Sequence, residues 1–557
     1  MRVRLHQLNP TVGDIRAATD AILQAMKNAE QAGVELLVLP EMTVCGYPAM
    51  DLLEREAFRE AVYSANRRIV EASGATGVIF GTIKPNVSAY GRKCYNTALL
   101  AHRGKELAQV NKTLLPTYDV FDDLRYFEPN ETFECIEFKG ARLGITICED
   151  IWYNENDIQY HTYEVNPARK LAEMGADAII NISASPFTKT KPRSRQEMLR
   201  NHVRELQIPI FYCNQVGANT ELVFDGDSIA MDRQSAVVGR APLFEEAFID
   251  LEWEPSSGSL ENKGKKPAEI PSKEAGIFRG LTLGLKDYLR KTGISEKVVL
   301  GLSGGIDSSL IACLAAESLG AQNVVAVTMP SEFSSEGSVS DSERLAGNLG
   351  ITLHRLTISE IYDRFNESLE PLFQDTSFGV AEENLQSRIR GVLLMAISNK
   401  VGYMLLNTGN KSELATGFCT LYGDMNGGLG IISDLYKSEV YELARWLNES
   451  YYEETVIPES VLEKAPSAEL RPGQEDRDTL PEYDVLDPIL YNYIELQRSA
   501  ADIAAEGFDI DLVKKVIWRV DRYEYKRFQA VPGLKMSTKA FGTGRRWPIV
   551  QRWSDNR

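Results

Sequence analysis

The sequence predicts an α/β chain built as two layered domains joined by a polar stretch, and three observations carry that prediction. Up to residue 253, short β-rich apolar runs alternate with longer runs of helical period. Residues 254–276, "EPSSGSLENKGKKPAEIPSKEAG", are rich in Pro, Gly, Ser and Lys and divide the chain almost in half. Beyond them the pattern becomes strand, glycine loop, helix, strand, the βαβ unit of a doubly wound parallel sheet. At 557 residues the chain is too long for one ordinary core. The expected organisation is therefore 1–253, a linker at 254–276, and 277–557.

Taken in order, "RVRLHQL" and "ELLVLPEM" read as strands flanking a helix. In that helix Ile15, Ala18, Ile22, Met26 and Ala29 recur at helical spacing, and Gly33 ends it. "GVIFGTI", "YNTALLAH", "ARLGITIC", "DAIINISAS" and "IPIFYCNQVG" supply further strands, so the first half is sheet-rich. After the polar stretch, "KVVLGL" enters a glycine loop, "DSSLIACLAAESLG" reads as a helix ending at Gly320, and "NVVAVTMP" is the next strand. A parallel sheet of this kind binds ligands at the carboxyl ends of its strands. The tail from "YEYKRFQ" onward is basic (Lys526, Arg527, Lys535, Lys539, Arg545, Arg546), and by itself it reads as a solvated surface.

Composition narrows the function classes. With 43% hydrophobic and 25% charged residues the chain is that of a globular protein. A formal net charge of −18 counts against a general nucleic-acid binder, yet leaves room for a local basic pocket taking an anionic small molecule. Seven cysteines without CxxC pairs form neither a disulfide framework nor a zinc site, and a reducing cytoplasm fits them best. The start, "MRVRLHQLNPTVGD", lacks a signal-peptide pattern, and no apolar run is long enough to span a bilayer.

Two groups of residues carry chemistry. "LGLSGGIDSS", residues 300–309, is a strand-to-helix glycine loop whose backbone N–H groups and following helix N-terminus suit a phosphate. It lacks the lysine of the GxxxxGK[ST] loop and carries Asp307 instead. In the first half, Glu41 ends "LLVLPE", Lys112 lies in "VNKTLLPTYDVFDDLRYF" and Cys148 ends "LGITIC". A carboxylate, an ammonium and a thiol at strand ends suit one nucleophilic site, in which the carboxylate takes the thiol proton. A strand-end cysteine also serves as a small core hydrophobe, so these residue types alone leave both readings open.

"LPEMTVCGYP", "NKTLLPTYDVFDDLRYFEP", "ICEDIW" and "NISASPF" together resemble the nitrilase-type amidase family, and its glutaminase branch best, over about residues 1–250. That resemblance implies an α-β-β-α sandwich. It implies Glu41 as general base, Lys112 as electrostatic stabiliser of the oxyanion and Cys148 as nucleophile, with Tyr118, Ser185 and Lys191 holding glutamine. Asp123 stands where the family usually has a glutamate.

The SGGxDSS loop resembles the phosphate loop of ATP pyrophosphatase-type adenylating enzymes, which implies that Gly301, Leu302, Ser303, Gly304, Gly305, Ile306, Asp307 and Ser308 bind ATP. The string at 383–428, with "IISDLYKSEVYELARWLN", "PSAELRPGQ", "VDRYEYKRFQ" and "AFGTGRRWPI", resembles the NAD synthetases. The two halves together are similar to the glutamine-dependent members of that family. This implies that Thr408, Arg388 and Lys437 also contact ATP, and that Asp307 and Glu413 hold Mg2+. Asn384, Lys411, Glu413, Asp424 and Lys526 are implied for deamido-NAD, and homo-oligomeric assembly is the family expectation. Glu332, Phe333, Arg477 and Ile431 depart from the family pattern, which has a basic residue, tyrosine, an acidic residue and proline there.

The implied reaction activates the nicotinate carboxylate of deamido-NAD as an acyl-adenylate, releasing pyrophosphate, and amidates it with ammonia freed from glutamine at Cys148. Two other readings use the same residues. One directs both chemistries at another acceptor, and the "GNKSE" and "YGDMNGG" strings count against it. The other makes the second half a nucleotide-binding regulator of an amidohydrolase, against which the intact Ser303, Asp307, Lys411 and Glu413 argue.

Overall fold

The computed structural model describes residues 1–152, 163–262, 264, 266–374 and 376–553. The chain forms two compact units, Met1–Lys273 and Glu274–Arg557. Among the described residues no helix is long and apolar enough to cross a membrane.

Among the described residues the first unit has two main mixed sheets. One has seven strands, in the order Ser259–Glu261, Ala247–Glu254, Arg2–Gln7, Leu36–Val38, Gly77–Pro85, Cys94–His102 and Lys105–Asn111. The other has six: Val237–Arg240, Ile229–Met231, Ile210–Asn214, Ala178–Ser183, Ala141–Ile147 and Ile136–Phe138. Alternation along the strands sorts their side chains into three cores. Val3, Leu5, Ile79, Ile145, Phe211 and Trp253 pack between the sheets. Val78, Phe80 and Leu99 face outward against Ile22, Met26 and Ile69 of the helices Ile15–Gln31 and Glu56–Glu71. Ile179, Ile210 and Tyr212 face the helices Pro167–Glu173 and Lys191–Leu206 through Leu171, Leu199 and Val203. Helix, sheet, sheet, helix is the layering that results.

The expected first helix is present, capped by Asp14, whose side chain accepts from the Ala17 N–H, and followed by Gly33 at φ +71°. The stretch expected as a linker is partly built into the fold. Ser259–Glu261 pairs antiparallel with Ala247–Glu254, and a helix begins at Lys273. Polarity there marks an edge hairpin, whose side chains face water, as well as a connection.

The second unit carries a five-stranded, all-parallel sheet ordered Thr352–Arg355, Val324–Thr328, Val298–Gly301, Met404–Asn407 and Leu429–Gly430. The first strand in sequence, Val298–Gly301, lies in the middle, so chain progression reverses between it and Met404–Asn407. That reversal is the topological switch point where doubly wound sheets bind nucleotides. The glycine loop leaves one of these two strands and Thr408–Gly409 leaves the other. The loop opens the helix Ile306–Leu319, which ends at Gly320 as expected. A separate helical core, Leu486, Ile489, Leu490, Val513, Val516 and Ile517, joins the helices Tyr483–Ile494 and Ile510–Arg522.

The basic tail is not a solvated surface. Arg527, Lys535 and Arg545 are buried. Arg527 and Arg545 both pair with Glu524, and Lys535 donates to the carbonyls of Ser537 and Thr538. The shared acidic partner, Glu524, sits inside the string itself, and folding brings Arg545 back to it from 21 residues downstream, so the linear string reads as more exposed than it is.

Candidate active sites

In the first unit, Glu41, Lys112 and Cys148 are all buried at strand ends. Glu41 Oε1 accepts from Lys112 Nζ at 2.9 Å and from Asn96 Nδ2 at 2.7 Å, and Oε2 accepts from the Ala184 N–H at 2.8 Å. Lys112 Nζ also donates to Asp123 Oδ2 at 2.7 Å, whose other oxygen accepts from Tyr47 Oη at 3.0 Å. The shorter Asp123 therefore still reaches the lysine. Although burial disfavours its charge, the carboxylates of Asp123 and Glu41 hold the Lys112 ammonium protonated well above the ordinary lysine range.

Cys148 ends the strand Ala141–Ile147 with φ +44°, a strained conformation for a residue bearing a side chain. The turn that follows is locked by Asp150, whose carboxylate accepts from the N–H groups of Ile147, Thr113 and Leu114 at 2.9, 3.0 and 2.8 Å. Burial pushes the Cys148 thiol well above its usual range; Glu41 adds to the rise, and Lys112 opposes it. The Glu41 carboxylate and the Lys112 ammonium thus both act on the thiol, the one able to accept a proton and the other to face an oxyanion.

Of the three residues implied for glutamine, Tyr118 donates to Glu149 at 2.9 and 3.1 Å. Ser185 is buried, its N–H donating to Asn214 Oδ1 at 2.9 Å. Lys191 opens its helix with its ammonium 3.6 Å from the Trp152 ring centroid. Glu149, not singled out from the sequence, takes a second hydroxyl from Tyr163 at 3.0 Å and follows Cys148 directly. Its buried carboxylate is pushed up by desolvation, against which Lys112, the tyrosines and Lys191 act. The acidic pair following Cys148 in "ICED" was the available signal for it.

In the second unit a cavity of about 310 Å3 opens at the switch point. The whole loop Gly301–Ser308 lines it, as do Thr408, Glu413, Asp424 and Lys437. Gly304 has φ +79°, and a Cβ there would stand 2.2 Å from Ser338 O, so only glycine fits. Asp307 accepts from Asn410 Nδ2 at 2.9 Å and from Lys437 Nζ at 2.5 Å; Lys437 also lies 3.6 Å from Glu413. Burial pushes Glu413 up to about 8, with Lys437 opposing and Asp307 reinforcing the rise.

Among the described residues no cluster of three or more metal-binding side chains occurs. Two carboxylates beside a phosphate loop nevertheless fit magnesium, which takes one or two carboxylates and fills its octahedron with phosphate oxygens and water.

The remaining implied residues divide. Asn384, Arg388 and Lys526 do not line the cavity but converge on the segment 417–421 beside it. Asn384 Oδ1 accepts from Thr420 Oγ1 at 2.8 Å, and Arg388 Nε donates to Leu421 O at 3.2 Å. Lys526 Nζ donates to Gly417 O and Cys419 O at 2.8 and 2.7 Å. Asp424 fixes the same segment, accepting from the Thr420 N–H at 2.7 Å.

Lys411 is not brought to the cavity. It is fully buried, with Asp434 Oδ1 at 2.9 Å, Glu495 Oε1 at 3.1 Å and Ser537 Oγ at 2.7 Å enclosing its ammonium. Among the departures, Phe333 packs on Phe378, Arg477 pairs with Glu475, Ile431 is buried and Glu332 is exposed.

Comparison with known proteins finds a match for each half of the chain. The carbon-nitrogen hydrolase family model matches residues 2–254 and the NAD synthase family model residues 277–530. The glutamine-dependent NAD(+) synthetase of Synechocystis sp. is 46% identical, covering 99% of this chain and 98% of that protein. The one of Thermotoga maritima is 40% identical over 100% of this chain and 99% of its own. The structure of glutamine-dependent NAD+ synthetase from Acinetobacter baumannii in complex with ADP, 37% identical, superposes with a TM-score of 0.78 over 100% of this chain and 99% of that one. The chain belongs to the glutamine-dependent NAD(+) synthetase family.

Proposed function

We propose that the protein makes NAD from deamido-NAD, ATP and glutamine, with Glu41, Lys112 and Cys148 freeing ammonia and the loop Gly301–Ser308 holding ATP. The supporting observation is that one chain carries both a buried carboxylate–ammonium–thiol cluster and a phosphate loop at a switch point. In the first unit Glu41 takes the Sγ proton as sulfur attacks the amide carbon of glutamine. The Lys112 ammonium stabilises the oxyanion, and the proton passes from Glu41 to the leaving nitrogen. Water, deprotonated by Glu41, then cleaves the thioester to glutamate. Glu149, buried between two tyrosine hydroxyls next to the nucleophile, offers its negative charge to the substrate's α-ammonium.

In the second unit the backbone N–H groups of the loop and the Ile306–Leu319 helix N-terminus hold the phosphates. The nicotinate carboxylate attacks the α-phosphorus, and pyrophosphate leaves. Ammonia then attacks the acyl-adenylate, and AMP leaves. Asp307 and Glu413 would hold magnesium, which when bound offsets the charge of the departing pyrophosphate. Ammonia must arrive unprotonated, because ammonium has no lone pair to attack with.

The seven free thiols suit a reducing cytoplasm. Exposed Leu372, Val380 and Val392, on the helices Ser359–Phe373 and Val380–Val401, favour a homo-oligomer. The first test compares wild type with Cys148→Ala, each with ATP and deamido-NAD, fed glutamine or an ammonium salt. The variant should lose glutamine-driven NAD formation and keep ammonium-driven formation, and EDTA should stop both. No NAD from either nitrogen source in wild type would reject the synthetase reading.

A further inference from the structure

Three cationic side chains line the cavity of the second unit: Lys437, Lys464 and Arg390. The two lysines are already committed. Lys437 lies on Asp307 and Glu413, and Lys464 Nζ donates to Glu469 Oε1 at 2.8 Å. Arg390 Nε donates to Met329 O at 3.0 Å, but among the described residues no carboxylate lies within ion-pair distance and its Nη groups have no partner. Burial pulls the guanidinium down to about 10, with only the more distant Glu469 acting the other way.

Its position is set by the sheet. Met329 directly follows the strand Val324–Thr328, two residues beyond Val327, which stands opposite Gly301 at the start of the phosphate loop. The Leu302 N–H also donates to Val327 O at 2.9 Å, tying the loop to that strand. The guanidinium is therefore anchored at the carboxyl end of the strand next to the loop. Gly391 and Leu394, from the same helix Val380–Val401, line the cavity with it.

Charge balance makes this residue conspicuous. Asp307, Glu413, Asp424, Glu469 and Asp476 also line the cavity, so carboxylates outnumber cations there. A polyanionic nucleotide entering such a cavity needs an uncommitted positive donor. A guanidinium is the group whose planar fork matches phosphate oxygens.

Resting on the reading of this cavity as a nucleotide site, we propose that Arg390 is a substrate-binding residue that receives a phosphate group of a bound nucleotide through its Nη N–H groups while Nε stays on Met329 O. The phosphate belongs either to ATP or to the diphosphate of deamido-NAD. A structural role would weaken every ligand alike, whereas phosphate recognition spares ligands that have none.

The test is calorimetric titration of the full chain and its Arg390→Met and Arg390→Lys variants with ATP, deamido-NAD and adenosine. Charge-assisted hydrogen bonds of this kind predict a loss of about 10- to 100-fold in affinity for one or both phosphate-bearing ligands in Arg390→Met. Adenosine affinity should stay within about twofold. Arg390→Lys keeps the charge without the fork and should recover part of the loss, which guards against a misfolded methionine variant. Loss confined to ATP or to deamido-NAD identifies the phosphate's owner. Equal loss for adenosine, or no loss for any ligand, overturns the proposal. Failure of wild type to bind ATP removes the nucleotide reading itself, and the proposal with it.

Discussion

The ammonium of Lys112 lies 2.7 Å from the carboxylate of Asp123, with side-chain exposures of only 1% and 5%. Without that carboxylate the lysine would be held by Glu41 alone, and in the proposed mechanism Glu41 is the group that must be free to exchange a proton. Asp123→Asn should therefore lower the turnover of glutamine hydrolysis on the order of 10²-fold, the scale of losing a fixed oxyanion donor. KM for glutamine and ammonium-driven NAD formation should change little. Initial-rate kinetics with both nitrogen donors decide it; an unchanged glutaminase turnover would remove Asp123 from the site.

Gly304→Ala places a methyl group 2.2 Å from the Ser338 carbonyl oxygen, at a positive φ that side chains resist. Backbone crowds the position, so the loop itself must shift. ATP-dependent NAD formation should fall by at least about 10²-fold. Glutamine hydrolysis in the other unit should persist. Retained synthesis would mean that the loop geometry is not what holds the nucleotide.

Lys411→Met leaves Asp434 and Glu495 buried without their shared cation. Breaking a buried ion pair from one side costs about 3–5 kcal/mol. Scanning calorimetry should show a lowered transition for the second unit, while KM for deamido-NAD in the folded protein stays near the wild-type value. Full stability with a raised KM would instead return Lys411 to the substrate.

Acid stability should carry the signature of His6. Burial, reinforced by the charge of Arg4, lowers its imidazole from 6.5 to about 4. The folded state thus prefers the neutral ring, and between those values the unfolded chain binds more protons. The contribution is complete above pH 6.5 and is lost as pH falls toward 4, amounting to about 3 kcal/mol. Chemical denaturation from pH 7 to pH 4 should show a shallower decline in His6→Gln than in wild type. Parallel curves would contradict this.

The positions of Glu41, Cys148 and the glycine loop at strand ends were legible in the sequence, because each follows an apolar run that forms a buried strand. Their neighbours were harder to see. Glu41 is held by Asn96 and the Ala184 N–H, 55 and 143 residues away, and neither stands out by residue type. Lys411 and Glu413 sit two residues apart in one short string, yet one faces the core and the other the cavity. What separates them is Glu495 and Ser537, 84 and 126 residues downstream, which no local pattern reveals. "QSRIR" offers Arg388 and Arg390 alike, and only the packing of the helix decides that Arg390 is the one that reaches the cavity.

The pairing of Arg2–Gln7 with Ala247–Glu254 has a consequence for how the first unit comes into being during translation. Arg4 meets Asp250, at 2.6 Å, only after 246 further residues have been polymerised. Until then the opening strand has its Leu36–Val38 neighbour on one side and a bare edge on the other, a template for unwanted association. Such distant contacts make folding slow and expose the nascent chain longest at its oldest segment. The seal forms once the closing strand has left the ribosome, when Glu41, Lys112 and Cys148 have long been waiting.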